Sequence, residues 1–320
     1  MVAHAYRSPK PTVSVILPTF NRLRFLRPAI ESVFAQTITD WELIIADDGS
    51  GPDTRQYLRS KAIDARVRMI WLPHSGNPAA LRNAALREAR GEFIAFLDSD
   101  DLWMPAKLEV QIAALRSCPH RQWSYTRFIQ VNPAGDRINA ERSWVDYEGE
   151  VFEPVLNLKA VIPTPGVMVT GQLLERAGGF DEHQGLYEDY QLWLRFAMLS
   201  EVCLVGEPLV AVRCHDEQFS CHGIGALQAR NRMLEKTQAV ATCPRHRAAL
   251  RLARARNAAL LAVANAAAGS RSAAVRTVAD SWRVSWRYVA WWVGVAKVLA
   301  HIYLPSRVKT IVRRFRQAAP

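Results

Sequence analysis

Arg82-Asn-Ala-Ala-Leu-Arg-Glu-Ala-Arg-Gly-Glu-Phe-Ile-Ala-Phe-Leu-Asp-Ser-Asp-Asp101 is the stretch on which the fold turns. Its first part continues a helix that opens at Asn77-Pro78, an N-cap followed by proline in the first turn. That helix is expected to run to Arg90 and stop at Gly91. Glu92 to Leu97 then reads as a short, buried strand, because the run is apolar and bounded by a glycine and an acidic cluster. A helix delivering a buried strand that ends in carboxylates is a building unit of α/β domains.

The same unit recurs on both sides. Val13-Ser-Val-Ile-Leu17 reads as a strand ending at Pro18, and Trp41-Glu-Leu-Ile-Ile-Ala46 as one stopped by Asp47-Asp-Gly-Ser50. Val67 to Leu72 is a further strand. Leu23, Leu26, Ile30, Val33 and Phe34 keep helical spacing, and Pro105 to Ser117 is the next helix. The alternation predicts an α/β fold with a mainly parallel central sheet. Such sheets take ligands beyond the carboxyl ends of their strands. Pro18–Arg22, Asp47–Ser50 and Asp98–Asp101 all lie at such ends and should meet in one crevice.

Past Trp123 the pattern loosens into short strands and the proline-rich turn Ile162-Pro-Thr-Pro-Gly166, then a helix from about Glu188 to Ser200. After Gly225 the chain is rich in Ala and Arg and helical, with a break near Gly269-Ser270. No fixed-period repeat is present.

Composition sets the outer limits. The chain has 320 residues, 49% hydrophobic and 22% charged, which excludes a disordered, collagen-like or disulfide-miniprotein chain. The net charge of +11 is an uneven average. Residues 1–225 carry −5 and residues 226–320 carry +16. The five cysteines (Cys118, Cys203, Cys214, Cys221, Cys243) include no Cys-x-x-Cys pair, which points to a reducing cytosol. Cys214-His215 and Cys221-His222 place Cys beside His, a poor spacing for a tetrahedral zinc. Met1 to Pro11 holds no apolar core of a secretory signal. Tyr288 to Leu304 is apolar but interrupted by Lys297 and His301, short of a membrane-spanning helix.

Three clusters carry chemistry. Asp98-Ser-Asp100 offers two carboxylates after a strand, suited to a hard divalent cation shared with phosphates. It also suits an acidic turn that caps a helix. In Asp47-Asp48-Gly49-Ser50 a carboxylate could accept a hydrogen bond from a nucleobase N–H, although Asp-Gly favours a plain turn as well. Glu188-Asp189 opens a helix, where acidic residues suit the dipole. A carboxylate there could equally serve as general base.

Together these segments resemble family 2 glycosyltransferases of the GT-A fold over roughly Pro11 to Ser220. The resemblance is carried by Val13-Ser-Val-Ile-Leu-Pro-Thr-Phe-Asn-Arg22, Trp41 to Ser50, Arg82 to Pro105, Gly178-Gly-Phe-Asp-Glu182 and Glu188-Asp-Tyr-Gln-Leu-Trp-Leu-Arg195. It implies an inverting transfer from a nucleotide-diphosphate sugar donor to a glycan or lipid-linked acceptor, in polysaccharide, glycolipid or cell-envelope synthesis, with Mn²⁺ or Mg²⁺. On that resemblance Pro18, Thr19 and Asp48 line the base pocket, and Arg82 and Asn83 lie near the donor. Asp98 faces the ribose or metal, and Asp100 holds the metal. Asp189 is the catalytic base with Glu188 beside it, and His215 and Ser220 approach the diphosphate or metal. Acceptor contacts are expected around Ile162–Gly166 and Gly185–Tyr187.

The expected organisation is a GT-A domain over residues 11–221 and a basic helical extension over 226–320. Trp282, Trp286, Val289 and Val293 follow helical spacing, and Arg283 and Arg287 lie off that face. Trp with Arg suits the headgroup level of an anionic membrane, through residues 282–316. The expected location is therefore cytoplasmic, peripheral on the inner face of the membrane. The same stripe could instead pack as core. Two other functions fit parts of the chain. A nucleotidyltransferase-like enzyme would need a Gly-rich loop after the first strand, where Pro18-Thr-Phe-Asn-Arg22 has no glycine. A noncatalytic or nucleic-acid-binding module fits the charge, but no recognition motif supports it.

Overall fold

The computed structural model describes residues 10–138, 145–215 and 223–303. The chain divides into two compact units, residues 1–219 and 220–320.

The first unit is built on an eight-stranded sheet. Its strands are β1 (Val13–Thr19), β2 (Trp41–Asp47), β3 (Val67–Trp71), β4 (Phe93–Phe96), β5 (Leu102–Trp103), β6 (Trp123–Val131), β7 (Val167–Thr170) and β8 (Val202–Arg213). Its helices are α1 (Leu23–Phe34), α2 (Pro52–Lys61), α3 (Pro78–Leu86), α4 (Lys107–Ser117), α5 (Phe152–Leu156), α6 (Gly171–Ala177) and α7 (Glu188–Leu199). The strand order is β3-β2-β1-β4-β7-β6-β8-β5. The block β3-β2-β1-β4 is parallel throughout. β7 runs antiparallel to both β4 and β6, and β5 antiparallel to β8. The sheet is therefore parallel where the sequence alternates strand and helix, and mixed where that alternation is lost.

Every residue of β1 and β2 is buried, as expected for central strands covered on both faces. Two of the polar residues pair with each other: Ser14 Oγ donates to Glu42 Oε1 at 2.6 Å. That pair also explains why α3 ends at Leu86 rather than Arg90. The backbone N–H of Arg90 donates to Glu42 Oε1 at 2.8 Å, and that of Gly91 to Ser14 Oγ at 2.8 Å. These amides are drawn to the sheet instead of to the preceding helical turn. The N-cap forms as expected, with Asn77 Oδ1 accepting from Ala80 N.

The second unit contains α8 (Gly223–Val240), α9 (Pro244–Ala267), α10 (Arg271–Ser285) and α11 (Val289–Tyr303). The other three helices all pack on α9. Gly294 lets α11 approach Ala259 so closely that an added Cβ would lie 2.4 Å from its Cβ. The break near Gly269-Ser270 is present, with Gly269 at φ +84°. A second break was not foreseen. Trp282 and Trp286 end one helix, whereas Val289 and Val293 begin the next, so the four do not share one continuous helix face. All four are exposed. Trp291 is buried and donates its indole N–H to Ser281 Oγ at 2.8 Å.

Candidate active site

β1, β2 and β4 are parallel neighbours, so their carboxyl ends lie side by side. Short bonds tie the loops that leave them. Asp48 N donates to Thr19 O at 2.9 Å, Asn21 N to Ser50 Oγ at 2.7 Å, and Gly51 N to Asn21 Oδ1 at 2.9 Å. Asn21 and Arg22 both hold left-handed backbone, φ 54° and 50°. That tight turn brings the Arg22 guanidinium to within 2.9 Å of Asp100.

Asp48 is buried, and each carboxylate oxygen already has two partners. Oδ1 accepts from Ser75 N at 2.8 Å and Ser75 Oγ at 2.9 Å. Oδ2 accepts from Gly76 N at 2.8 Å and pairs with His74 Nδ1 at 2.9 Å. Burial pushes its carboxyl up, but the bonds from Ser75 and Gly76 outweigh that and hold it below its ordinary value. Asp48 thus organises the 74–76 loop, and a base N–H would share its oxygens with these donors. Pro18 and Thr19 lie buried beside it, and Thr19 Oγ1 has no hydrogen-bond partner among the described residues. The loop stacks the His74 ring on Phe20, centroids 4.0 Å apart, at a partly open edge where Phe20 is 39% exposed. Neither ring was singled out in the sequence, because only the loop's return brings His74 back to the end of β1.

The acidic motif after β4 splits its side chains among Arg82, Arg22, His215 and the Arg213 amide. Asp98 Oδ1 accepts from Arg82 Nη2 at 2.7 Å, and the same guanidinium reaches Glu188 Oε1 at 3.1 Å. Burial works against the Arg82 charge, but Asp98 and Glu188 more than compensate and raise its pKa. Asp100 Oδ2 faces His215 Nε2 at 2.9 Å. Asp101 turns inward and accepts from the backbone N–H of Arg213 at 2.8 Å. Its burial, with Asp100 and Asp98 nearby, drives its carboxyl well above the ordinary range. Arg213 Nε also donates to Asp100 O at 2.8 Å, so β8 is stitched to the motif and carries His215 to it.

Arg82 and Asn83 are neighbours on α3 with separate tasks. Asn83 spans the Gly178–Glu182 loop, accepting from Phe180 N and donating to Phe180 O, both at 2.9 Å. It faces that loop, while Arg82 faces the acids. Asp189 sits in the first turn of α7. Its Oδ1 accepts from Tyr190 N at 2.7 Å and its Oδ2 from Thr164 Oγ1 at 3.2 Å. Burial, reinforced by Glu188, raises its carboxyl to about 7. Ser220 lies outside the described residues.

A divalent cation would have to use Asp100 and His215 with Asp98. Among the described residues no three His, Cys, Asp or Glu side chains converge on one point. Asp100 Oδ2 takes the Arg22 guanidinium as well as His215 Nε2, both at 2.9 Å, so a cation would have to replace Arg22 at that oxygen. Adjacent ligands of an octahedral Mg²⁺ or Mn²⁺ lie about 3 Å apart when the metal–ligand bonds are about 2.1 Å. Asp100 Oδ2 and His215 Nε2 are 2.9 Å apart, and carboxylate and imidazole are suitable donors.

The chain is similar to known proteins in both sequence and fold. Residues 14–163 match the model of glycosyl transferase family 2. An uncharacterized glycosyltransferase of Rickettsia felis is 34% identical over 201 residues, covering 63% of this chain and 33% of that protein. The Escherichia coli UDP-Glc:alpha-D-GlcNAc-diphosphoundecaprenol beta-1,3-glucosyltransferase WfgD is 41% identical over 103 residues, 32% of this chain and 40% of WfgD. The chain thus spans about a third of the length of the first of these relatives. In fold, it is similar to S. aureus TarS 1–349, seen in a crystal structure with UDP-GlcNAc. The TM-score is 0.62 at 18% identity, covering 93% of this chain and 83% of that one.

Proposed function

We infer the activity from one premise: the chain belongs to glycosyltransferase family 2. It moves a sugar from a nucleoside-diphosphate donor to an acceptor hydroxyl, in synthesis of a cell-envelope polysaccharide or a related glycoconjugate. WfgD, whose name gives a UDP-sugar donor and a diphosphoundecaprenol-linked acceptor, supports a lipid-linked or glycan acceptor here.

The observation that carries the reading is the Arg82 bridge. One guanidinium joins Asp98 of the acidic motif to Glu188, the neighbour of Asp189. The donor-binding acids and the base are thereby held in a fixed relation. Asp189, with its carboxyl near 7, exchanges a proton readily at neutral pH. It takes the acceptor hydroxyl's proton as the oxygen attacks the anomeric carbon. The bond from that carbon to the diphosphate oxygen breaks in the same step, and attack from the opposite side inverts the centre. Asp100 and His215 would hold Mn²⁺ or Mg²⁺, joined by Asp98 only where it lets go of Arg82, and the ion when bound offsets the charge growing on the diphosphate. Arg22 adds a fixed positive charge on the same side.

The test is nucleotide release from UDP-glucose, UDP-GlcNAc and GDP-mannose with Mn²⁺, alongside thermal shift with each donor. Asp100→Ala and Asp189→Ala should remain folded and lose turnover. Full turnover in both would sink the assignment.

A second reading concerns where the enzyme sits. Residues 226–320 carry a net +16, and Trp282, Trp286, Trp292 and Tyr303 are exposed. No helix of the described residues is long and apolar enough to cross a membrane. Aromatic rings with a basic surround suit peripheral attachment to an anionic lipid surface on the cytoplasmic side. Equal binding of phosphatidylglycerol liposomes by the wild-type chain and a Trp282→Ala/Trp286→Ala/Trp292→Ala variant would refute it.

A further inference from the structure

The turn Thr164–Gly166 lies outside the acidic motifs yet meets the candidate base. Thr164 is 6% exposed, and its hydroxyl donates to Asp189 Oδ2 at 3.2 Å. The turn is braced from behind. Trp103 Nε1 donates to Pro165 O at 2.9 Å, and Gln111 Nε2 to Gly166 O at 3.0 Å. Trp103 follows the acidic motif on β5, and Gln111 lies on α4. Pro163 and Pro165 fix φ on either side of Thr164. The hydroxyl is therefore aimed, and one of the braces, Trp103, lies on the strand that directly follows the acidic motif in sequence.

We infer that Thr164 is a positioning residue for Asp189: its hydroxyl orients the carboxylate and favours the ionised form. This rests on the reading of Asp189 as the base. A hydroxyl donates more strongly to a carboxylate than to the neutral carboxyl, so the bond favours the ionised form. The Thr164 bond therefore opposes burial, which drives Asp189 towards its neutral form. The charged groups facing Asp189 come from three places. Glu188 on α7 and Asp98 after β4 raise its carboxyl, and Arg82 on α3 lowers it. Thr164 adds an uncharged donor from a fourth direction, which fixes orientation without adding charge.

The experiment uses the full-length chain in wild-type, Thr164→Val, Thr164→Ser and Asp189→Asn forms. Two readouts are taken: ¹³C-carboxyl NMR titration of Asp189, and the pH profile of nucleotide release from the donor panel with Mn²⁺. Thr164→Val keeps the side-chain shape and should raise the Asp189 titration by about one unit. The acid limb of kcat should move with it while donor KM stays constant. Thr164→Ser should restore both, a rescue that a merely structural role would not give. An unchanged titration in Thr164→Val, with Asp189→Asn inactive, overturns the inference and leaves the base reading standing. Wild-type turnover in Asp189→Asn overturns the base reading, and the inference falls with it.

Discussion

Arg82 Nη2 donates to Asp98 Oδ1 across 2.7 Å, and the arginine side chain is only 6% exposed. A guanidinium this buried survives because it is shared, its other arm reaching Glu188. Removing it would leave two neighbouring carboxylates uncompensated and a third, Asp189, without its nearest counter-charge. Arg82→Gln should therefore cost about 3 kcal/mol in urea unfolding. It should also abolish turnover and push the Asp189 titration upward. Arg82→Lys should recover part of the stability and little of the turnover, because one ammonium does not span both acids. Loss of turnover with unchanged stability would mean that the bridge contributes nothing to the fold.

Asp189 links catalysis to stability through its raised carboxyl. Its folded-state value of about 7 lies above the ordinary 3.8. Protonation therefore favours the folded state: the stabilisation is complete below about pH 4 and is lost as pH rises through 7. Asp189→Asn mimics the neutral form. It should leave the unfolding midpoint unchanged below about pH 3.5, gain on wild type as pH rises from there, and exceed it at pH 8 by up to about 4 kcal/mol, at about 1.4 kcal/mol per unit of the shift. Wild-type turnover should rise with pH to a plateau above 7. Equal stability of the two proteins at pH 8 would show that ionised Asp189 sits in the fold without strain.

Local patterns made the parallel half of the sheet legible. Val13–Leu17, Trp41–Ala46 and the strand before Asp98 could be read from apolar runs stopped by polar clusters, and Asn77-Pro78 marked a real helix start. What stayed hidden depended on distant partners. The early end of α3 is set by Ser14 and Glu42 in other strands. The saturation of Asp48 depends on the 74–76 loop returning to it. Asn83 sits beside Arg82 in sequence, but its role is fixed by Phe180, 97 positions away. The break after Ser285 carries neither proline nor glycine, so Trp286-Arg-Tyr288 gave no signal.

Gly91 shows how close the backbone approach between β1 and β4 is. A Cβ there would lie 2.4 Å from Ser14 N and 2.7 Å from Phe93 O, both backbone atoms that cannot step aside. Gly91→Ala should destabilise by about 3 kcal/mol, the upper part of the range for overpacking. Ser14→Ala strips the hydroxyl that binds the Gly91 amide and should cost about 1 to 2 kcal/mol. Urea midpoints check both. A Gly91→Ala protein as stable as wild type would mean that the two strands separate freely.

Lys107 is a buried cation without a conventional partner. Its side chain is fully covered, and among the described residues Nζ makes no hydrogen bond but lies 3.9 Å from the centroid of Trp103. The ring face offsets only part of the lost hydration. Burial accordingly drives the amine well below its ordinary 10.5. The folded state then binds fewer protons than the unfolded chain, so stability is highest above about pH 10.5 and falls as pH drops through the depressed value. Lys107→Met keeps the length and removes the amine. It should stabilise the protein by about 2 kcal/mol at pH 7, with the gain shrinking towards pH 10.5. Trp103 also holds the turn that carries Thr164, so the same variant reports on function. Turnover should persist, because methionine still fills the space behind Trp103. A Lys107→Met protein less stable than wild type at pH 7 would show that the amine contributes more through the Trp103 ring than it loses by leaving water.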